Sequence, residues 1–249
     1  MKIRVTRSVI PNLFTILNMF CGFLSVINTA EGNYMYASTL IIIAAIFDAF
    51  DGFAARITKS ASEFGVELDS LADVISFGIA PAFLIYKIKL FEFQEIGILI
   101  SAFYLVMAGL RLARFNVQLV GFEKPHYYGL PAPLGAITVS SFILTFYNDV
   151  LNIFKYNFGS FFVLLVISIG LLMISKIKYE ALPNFSQESL KGKLLLNIFL
   201  LLSVLIAIFS NGKAIIFMIL IFIVFGFLRS VYKSTADFIK ANFPTSKAN

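Results

Sequence analysis

Charge is scarce in this chain of 249 residues: Asp, Glu, Lys and Arg together make 14%, where a globular domain carries roughly 25%. Tryptophan is absent, histidine occurs once (His126) and cysteine once (Cys21). So little charge leaves no polar surface to coat a water-facing body, which excludes a soluble domain, a disordered chain, a coiled coil and a soluble nucleic-acid module. One cysteine excludes an internal disulfide and any metal site built from thiolates. Cys21 reads as packing, His126 beside Pro125 as a surface residue rather than a catalyst, and Glu123 and Lys124 as ordinary loop charges. What the chain has instead is apolar: 59% hydrophobic residues, 29 Phe and a mean hydropathy of +0.89. These numbers describe an integral membrane protein. The net charge of +6 then reads as basic loops anchored at one membrane face, not as a nucleic-acid surface.

A helix needs about 20 mostly apolar residues to cross the hydrocarbon. The charge-free runs are 8–30, 32–47, 74–86, 96–110, 125–148, 156–175, 194–212 and 214–228. The second, third and fourth reach span length only by continuing through charge: Asp48 and Asp51, then Asp69 and Asp73 in a span starting near Val66, then Arg111 and Arg114. Charges within spans are costly and mark sites. Alternating eight spans puts sixteen of the 20 Lys and Arg on one side and only Lys87, Lys89, Lys155 and Lys213 on the other. The positive-inside rule then predicts an all-α protein with eight spans and both termini in the cytoplasm. Lys2, Arg4 and Arg7 before an apolar run mimic a signal peptide, but the run holds Pro11, Asn12 and Asn18 and lacks a small-residue cleavage site, so it reads as a retained first span. There is no internal repeat. The polar loop 176–193 divides six spans rich in unusual polar residues from two almost purely apolar ones.

Six of the 14 acidic residues lie between Asp48 and Asp73. Asp48 and Asp51 are three apart and share a helix face, continued by Gly52, Ala55 and Arg56. Gly65, Asp69 and Asp73 recur every four residues on one face of the next span. A short connection makes the two spans antiparallel neighbours, so four carboxylates converge between them. Like charges so gathered need cations, and all-oxygen ligands suit Mg²⁺, Mn²⁺ or Ca²⁺. Gly52, Ala54, Ala55 and Gly65 let a ligand approach the backbone, and Arg56 offers a phosphate its planar fork. Helix caps and edge pairs would explain one or two of these acids but not two matched pairs. A divalent-cation transport site, which also uses intramembrane carboxylates, stays open on spacing alone.

The run Asp48-Ala-Phe-Asp51-Gly52-Phe-Ala-Ala55-Arg56, eight further residues, then Gly65-Val-Glu-Leu-Asp69-Ser-Leu-Ala-Asp73 resembles the complete signature of the CDP-alcohol phosphotransferases. The resemblance covers residues 1–178, a catalytic core of six transmembrane helices; residues 179–249, two further spans and a tail, lie outside it. It implies that Asp48, Asp51, Asp69 and Asp73 hold two divalent ions, Mg²⁺ or Mn²⁺ with Ca²⁺ as a third choice. It implies that Asp73 is also the general base, that Gly52, Ala55, Arg56 and Gly65 line the CDP site, and that the enzyme is a homodimer.

Flanking segments narrow the choice of alcohol. Pro11, Thr15, Asn18, Gly22 and Ser25 form a small, polar stripe on the first span, read either as helix packing or as a wall for the nucleotide with Asn12 and Thr15 at its cytoplasmic end. Ser76-Phe77-Gly78-Ile-Ala-Pro81, Arg111-Leu-Ala-Arg114-Phe-Asn116 and Gly129-Leu-Pro131-Ala-Pro133 resemble the phosphatidylserine synthase branch of the family. The resemblance implies CDP-diacylglycerol and L-serine as substrates and phosphatidylserine and CMP as products, with Ser76, Arg111, Arg114 and Asn116 as candidates for holding serine or phosphate. Arg111 and Arg114, three apart, are expected on one side of the fourth span; their alternative role is topology anchoring. Glycerol 3-phosphate or an inositol phosphate is the alternative alcohol.

Overall fold

A computed structural model describes residues 8–58, 60, 62–120, 129–147 and 158–177, together with 216, 217, 219–221 and 223. Within these every regular element is helical: α1 (Val9–Ala30), α2 (Tyr34–Thr58), α3 (Glu63–Asp73), a π-helical turn (Val74–Ile79), α4 (Ala80–Ile88), a 3₁₀ turn (Leu90–Phe93), α5 (Gln94–Val120), α6 (Ala132–Phe146) and α7 (Phe158–Ile174). Each of the first six expected spans contains one of these helices, the third being α3, the π turn and α4 in series. The helices Val9–Ala30, Glu63–Ile88 and Leu90–Val117 are long and apolar enough to cross a membrane, and Ala132–Phe146 and Gly159–Ile174 are apolar but shorter. The seventh span, most of the eighth, residues 178–193 of the loop between the sixth and seventh, the tail, His126, Lys124, Glu123 and the basic residues before Ser8 lie outside the described residues.

The packing is that of a protein whose solvent is lipid. On α1 the buried residues are Pro11, Thr15, Asn18, Cys21, Gly22, Ser25 and Thr29, while Ile10, Leu13, Ile16, Phe20 and Phe23 face outward. A helix in water would turn the other way. Small residues on the inner face let backbones approach closely. A Cβ added to Gly22 would come within 2.8 Å of Ser76 Cα, so α1 and the π turn touch at backbone distance there. Pro11 falls in the first turn of α1, where its missing N–H removes no intrahelical bond.

Local signals account for the element ends. Gly32, with φ +83°, turns the chain between α1 and α2. Ser62 has extended backbone and its Oγ accepts from the Gly65 N–H at 3.1 Å, an N-cap that starts α3 at Glu63, three residues before the span edge expected near Val66. Pro81, second in α4, has no N–H to offer the carbonyl of Phe77 four residues back. That buried carbonyl takes the Tyr104 hydroxyl at 3.4 Å instead, and the Ala80 N–H reaches back to Ile75. The π turn sits where the α-helical ladder is broken, directly after Asp73. Ile216, Ile219 and Ile223, spaced as one helix face, are buried, and the Phe217 ring meets that of Phe146 on α6 at 6.2 Å.

Candidate active site

Two antiparallel helices bring the acidic residues together, and α1 closes the third side. Asp48 and Asp51 lie one turn apart near the end of α2; Asp69 and Asp73 lie one turn apart on α3. Asp48, Asp51 and Asp69 each bring a carboxylate oxygen to within 4.8 Å of the others. Across the helix pair, the side chain of Asp48 meets that of Asp73 and the side chain of Asp51 meets that of Asp69. Carboxyls in contact repel unless a proton or a cation lies between them. Asp69 Oδ1 is buried with no hydrogen-bond partner among the described residues, which leaves a lone pair of the right chemistry for a cation. Oxygen donors at this spacing fit a hard divalent ion.

The inner stripe of α1 serves this cluster. Thr15 Oγ1 is 2.9 Å from Asp51 Oδ2 and 3.2 Å from the Pro11 carbonyl, so its one proton goes to the carboxylate at the shorter distance. Asn18 Nδ2 donates to Asp73 Oδ1 at 3.4 Å. Ser76 Oγ, in the π turn, donates to the Asn18 carbonyl at 2.9 Å. A Cβ on Gly65 would lie 3.2 Å from Asn12 Oδ1, so Asn12 and Gly65 are neighbours at the same end of the site. The Cβ position of Gly52 has no atom within 4 Å, leaving open space beside the carboxylates where a bulky group could approach the backbone. Ala55 is half-buried and Arg56 exposed on the following turn.

Arg111 and Arg114 have different partners despite their spacing. Arg111 lies close enough to Asp48 and Asp73 for their charges to interact, with its guanidinium carbon 5.2 Å from the Phe115 ring centroid. Arg114 donates to the carbonyls of Met173, Ile174 and Ser175 at 3.3, 3.1 and 3.3 Å, satisfying the end of α7. Asn116 Nδ2 donates to Ser70 Oγ at 2.7 Å and ties α5 to α3 beside Asp69. Arg114→Ala is expected to lower the melting midpoint in detergent by roughly 3–10 °C, given about 1.5–3 kcal/mol for bonds to a charged donor and a few degrees per kcal/mol. Differential scanning fluorimetry checks it; an unchanged midpoint removes the α7 anchor.

Spacing alone puts Asn18 on the inner stripe without linking it to Asp73, and it gives no sign of Tyr104. The signal for Asn18 is its inward register on α1; Tyr104 has none.

Comparison with known proteins gives the family. A family profile described as CDP-alcohol phosphatidyltransferase matches residues 8–175. The chain belongs to that family. It is a membrane transferase of phospholipid biosynthesis. It is 34% identical over 193 residues to the CDP-diacylglycerol–serine O-phosphatidyltransferase of Helicobacter pylori strain 26695, covering 78% of this chain and 79% of that one. It is 35% identical to the protein of the same name from Methanocaldococcus jannaschii, covering 89% of this chain and 94% of that one. It is 38% identical to the archaetidylserine synthase of Methanothermobacter thermautotrophicus, covering 72% and 73%.

Proposed function

We propose that this chain transfers the phosphatidyl group of CDP-diacylglycerol to the hydroxyl of L-serine, giving phosphatidylserine and CMP. The observation that carries the reaction is the meeting of Asp48, Asp51 and Asp69 within 4.8 Å, with Asp73 set against them and held by α1. Serine as acceptor is supported by the relatives' names, which share serine while differing in lipid.

Each residue has a part in the step. The nucleotide lies along α1 and α2, with Asn12, Thr15, Gly52, Ala55, Arg56 and Gly65 around it and the lipid tails leaving sideways into the bilayer. A divalent metal, Mg²⁺ or Mn²⁺, held by Asp48, Asp51, Asp69 and Asp73 would offset the diphosphate charge and stabilise CMP as the leaving group. Asp73 accepts the proton of the serine hydroxyl as its oxygen bonds to the lipid-bearing phosphorus, and the bond from that phosphorus to CMP breaks. Asp73 meets Asp48 but is not among the three residues whose carboxylate oxygens all lie within 4.8 Å of one another, and it alone of the four takes the Asn18 amide, which supports a separate role for it. Positioning and electrostatics supply most of the acceleration. The asymmetry of basic residues supports eight spans, both termini cytoplasmic, and the reaction at the cytoplasmic face. Residues 1–178 form the catalytic core and 179–249 an added pair of spans, and the working form is a homodimer.

The test is CMP release by the purified protein from CDP-diacylglycerol with serine, glycerol 3-phosphate and an inositol phosphate in turn. Release with serine is expected; release with another alcohol and none with serine overturns the assignment. Arg111 is the arginine proposed to meet serine or the transferring phosphate, because it is the one beside Asp73. Arg111→Lys keeps the charge and loses the two-pronged donor. A bond to a charged group worth about 1.5–3 kcal/mol corresponds to roughly a tenfold to hundredfold loss in kcat/KM. A rise in the KM for serine alone assigns Arg111 to the amino acid, and loss against both substrates assigns it to the phosphate. Wild-type kinetics over a full serine titration would reduce it to a topology anchor.

A further inference from the structure

The inner face of α1 carries an amide that packing alone does not explain. Asn18 is 0% exposed. Its Nδ2 donates to Asp73 Oδ1 at 3.4 Å, yet its own Oδ1 is buried with no partner among the described residues. An unsatisfied buried acceptor costs stability, and an apolar side chain of similar volume would avoid that cost. The surroundings fix the backbone that carries this amide. Its backbone carbonyl accepts from Ser76 Oγ, itself 0% exposed, at 2.9 Å, and Ser76 is pressed against Gly22, where an added Cβ would sit 2.3 Å from the serine oxygen. The π turn that begins at Val74, right after Asp73, is what presents Ser76 to α1.

We infer that Asn18 is a positioning residue for the transfer step: it holds Oδ1 of Asp73, so that the other oxygen of that carboxylate faces the incoming hydroxyl, and Ser76 holds Asn18. The inference rests on the role of Asp73 in the proposed reaction. One fixed oxygen removes rotation of the carboxylate about its Cβ–Cγ bond, which otherwise must be ordered each time an alcohol enters. The amide is thus retained at a cost in stability, the usual trade at a reacting centre.

Two variants test this in the full-length protein. Asn18→Leu keeps the branched shape and the number of heavy atoms and removes the donor; Ser76→Ala keeps the donor and loosens its backbone. Asn18→Leu is expected to lower kcat tenfold or more, with the KM for CDP-diacylglycerol and for the alcohol within threefold of wild type, in a protein that keeps a cooperative melting transition. Ser76→Ala is expected to lower kcat in the same way by a smaller factor. A kcat for Asn18→Leu within threefold of wild type overturns the inference, and so does a lowered midpoint with both KM values raised, which is what a packing residue would give. The wild-type protein is assayed beside them with the panel of alcohols. A wild type that ignores serine defeats the serine assignment only, since the Asn18 effect is read with whichever alcohol it accepts.

Discussion

With Asp48, Asp51 or Asp69 changed to Asn, CMP release from CDP-diacylglycerol is expected to fall to about a thousandth of the wild-type rate or less, because the proposed metal contact is worth several kcal/mol and each 1.36 kcal/mol is tenfold. Asn has nearly the volume of Asp and removes one negative charge from a crowded cluster, so the variants fold. Without metal they are at least as stable as wild type, since a repulsion has been relieved. With metal the order reverses. Binding to the folded state raises stability in proportion to the logarithm of ligand over Kd, about 2.7 kcal/mol at a hundredfold excess. Millimolar Mg²⁺ or Mn²⁺ therefore lifts the melting midpoint of wild type and lifts those of the variants less. The two readouts must move together. A variant that keeps near wild-type turnover at low metal, or shows the full metal-induced rise in midpoint, contributes no ligand. A cation transporter would behave differently again: its metal-induced rise would need no nucleotide, and no CMP would appear.

Much of this site is legible in the amino-acid sequence. Helical periodicity converts spacing directly into faces, so the pairs Asp48–Asp51 and Asp69–Asp73 must lie on facing stripes once a short connection joins their helices. The inward polar stripe of α1 is legible for the same reason: seven buried positions follow the helical repeat. What escapes depends on neighbours remote in sequence. Arg111 and Arg114 share a side of α5 by spacing, yet their long side chains reach different partners, and the partner of Arg114 is the end of α7, sixty residues on. The π turn follows from Pro81 only when a hydroxyl, that of Tyr104, is found to take the carbonyl the proline leaves. The Ser62 cap, a residue type favoured at a helix start, sets α3 beginning at Glu63, ahead of the edge expected near Val66.

Asp73→Asn, if Asp73 is the proposed base, is expected to lower kcat by about 10²–10⁴, the usual contribution of a general base, with CDP-diacylglycerol bound nearly as well as by wild type. Asp73 is 8% exposed, and the substituted amide still offers an oxygen to Asn18 Nδ2 in place of the one now 3.4 Å away; the local packing therefore survives. What is lost is the oxygen that can accept a proton from the alcohol. The metal-induced rise in melting midpoint is expected to persist in large part, because Asp48, Asp51 and Asp69 still bring carboxylate oxygens to within 4.8 Å of one another. Equal losses of turnover and of nucleotide binding would make Asp73 a plain metal ligand, and a kcat within tenfold of wild type would remove it as the base. The double variant Asn18→Leu with Asp73→Asn separates the two residues further. If Asn18 acts only through Asp73, its substitution costs nothing more once the base is gone, and the double variant is no slower than Asp73→Asn alone. Independent roles would instead multiply the two losses, as for sites that do not interact.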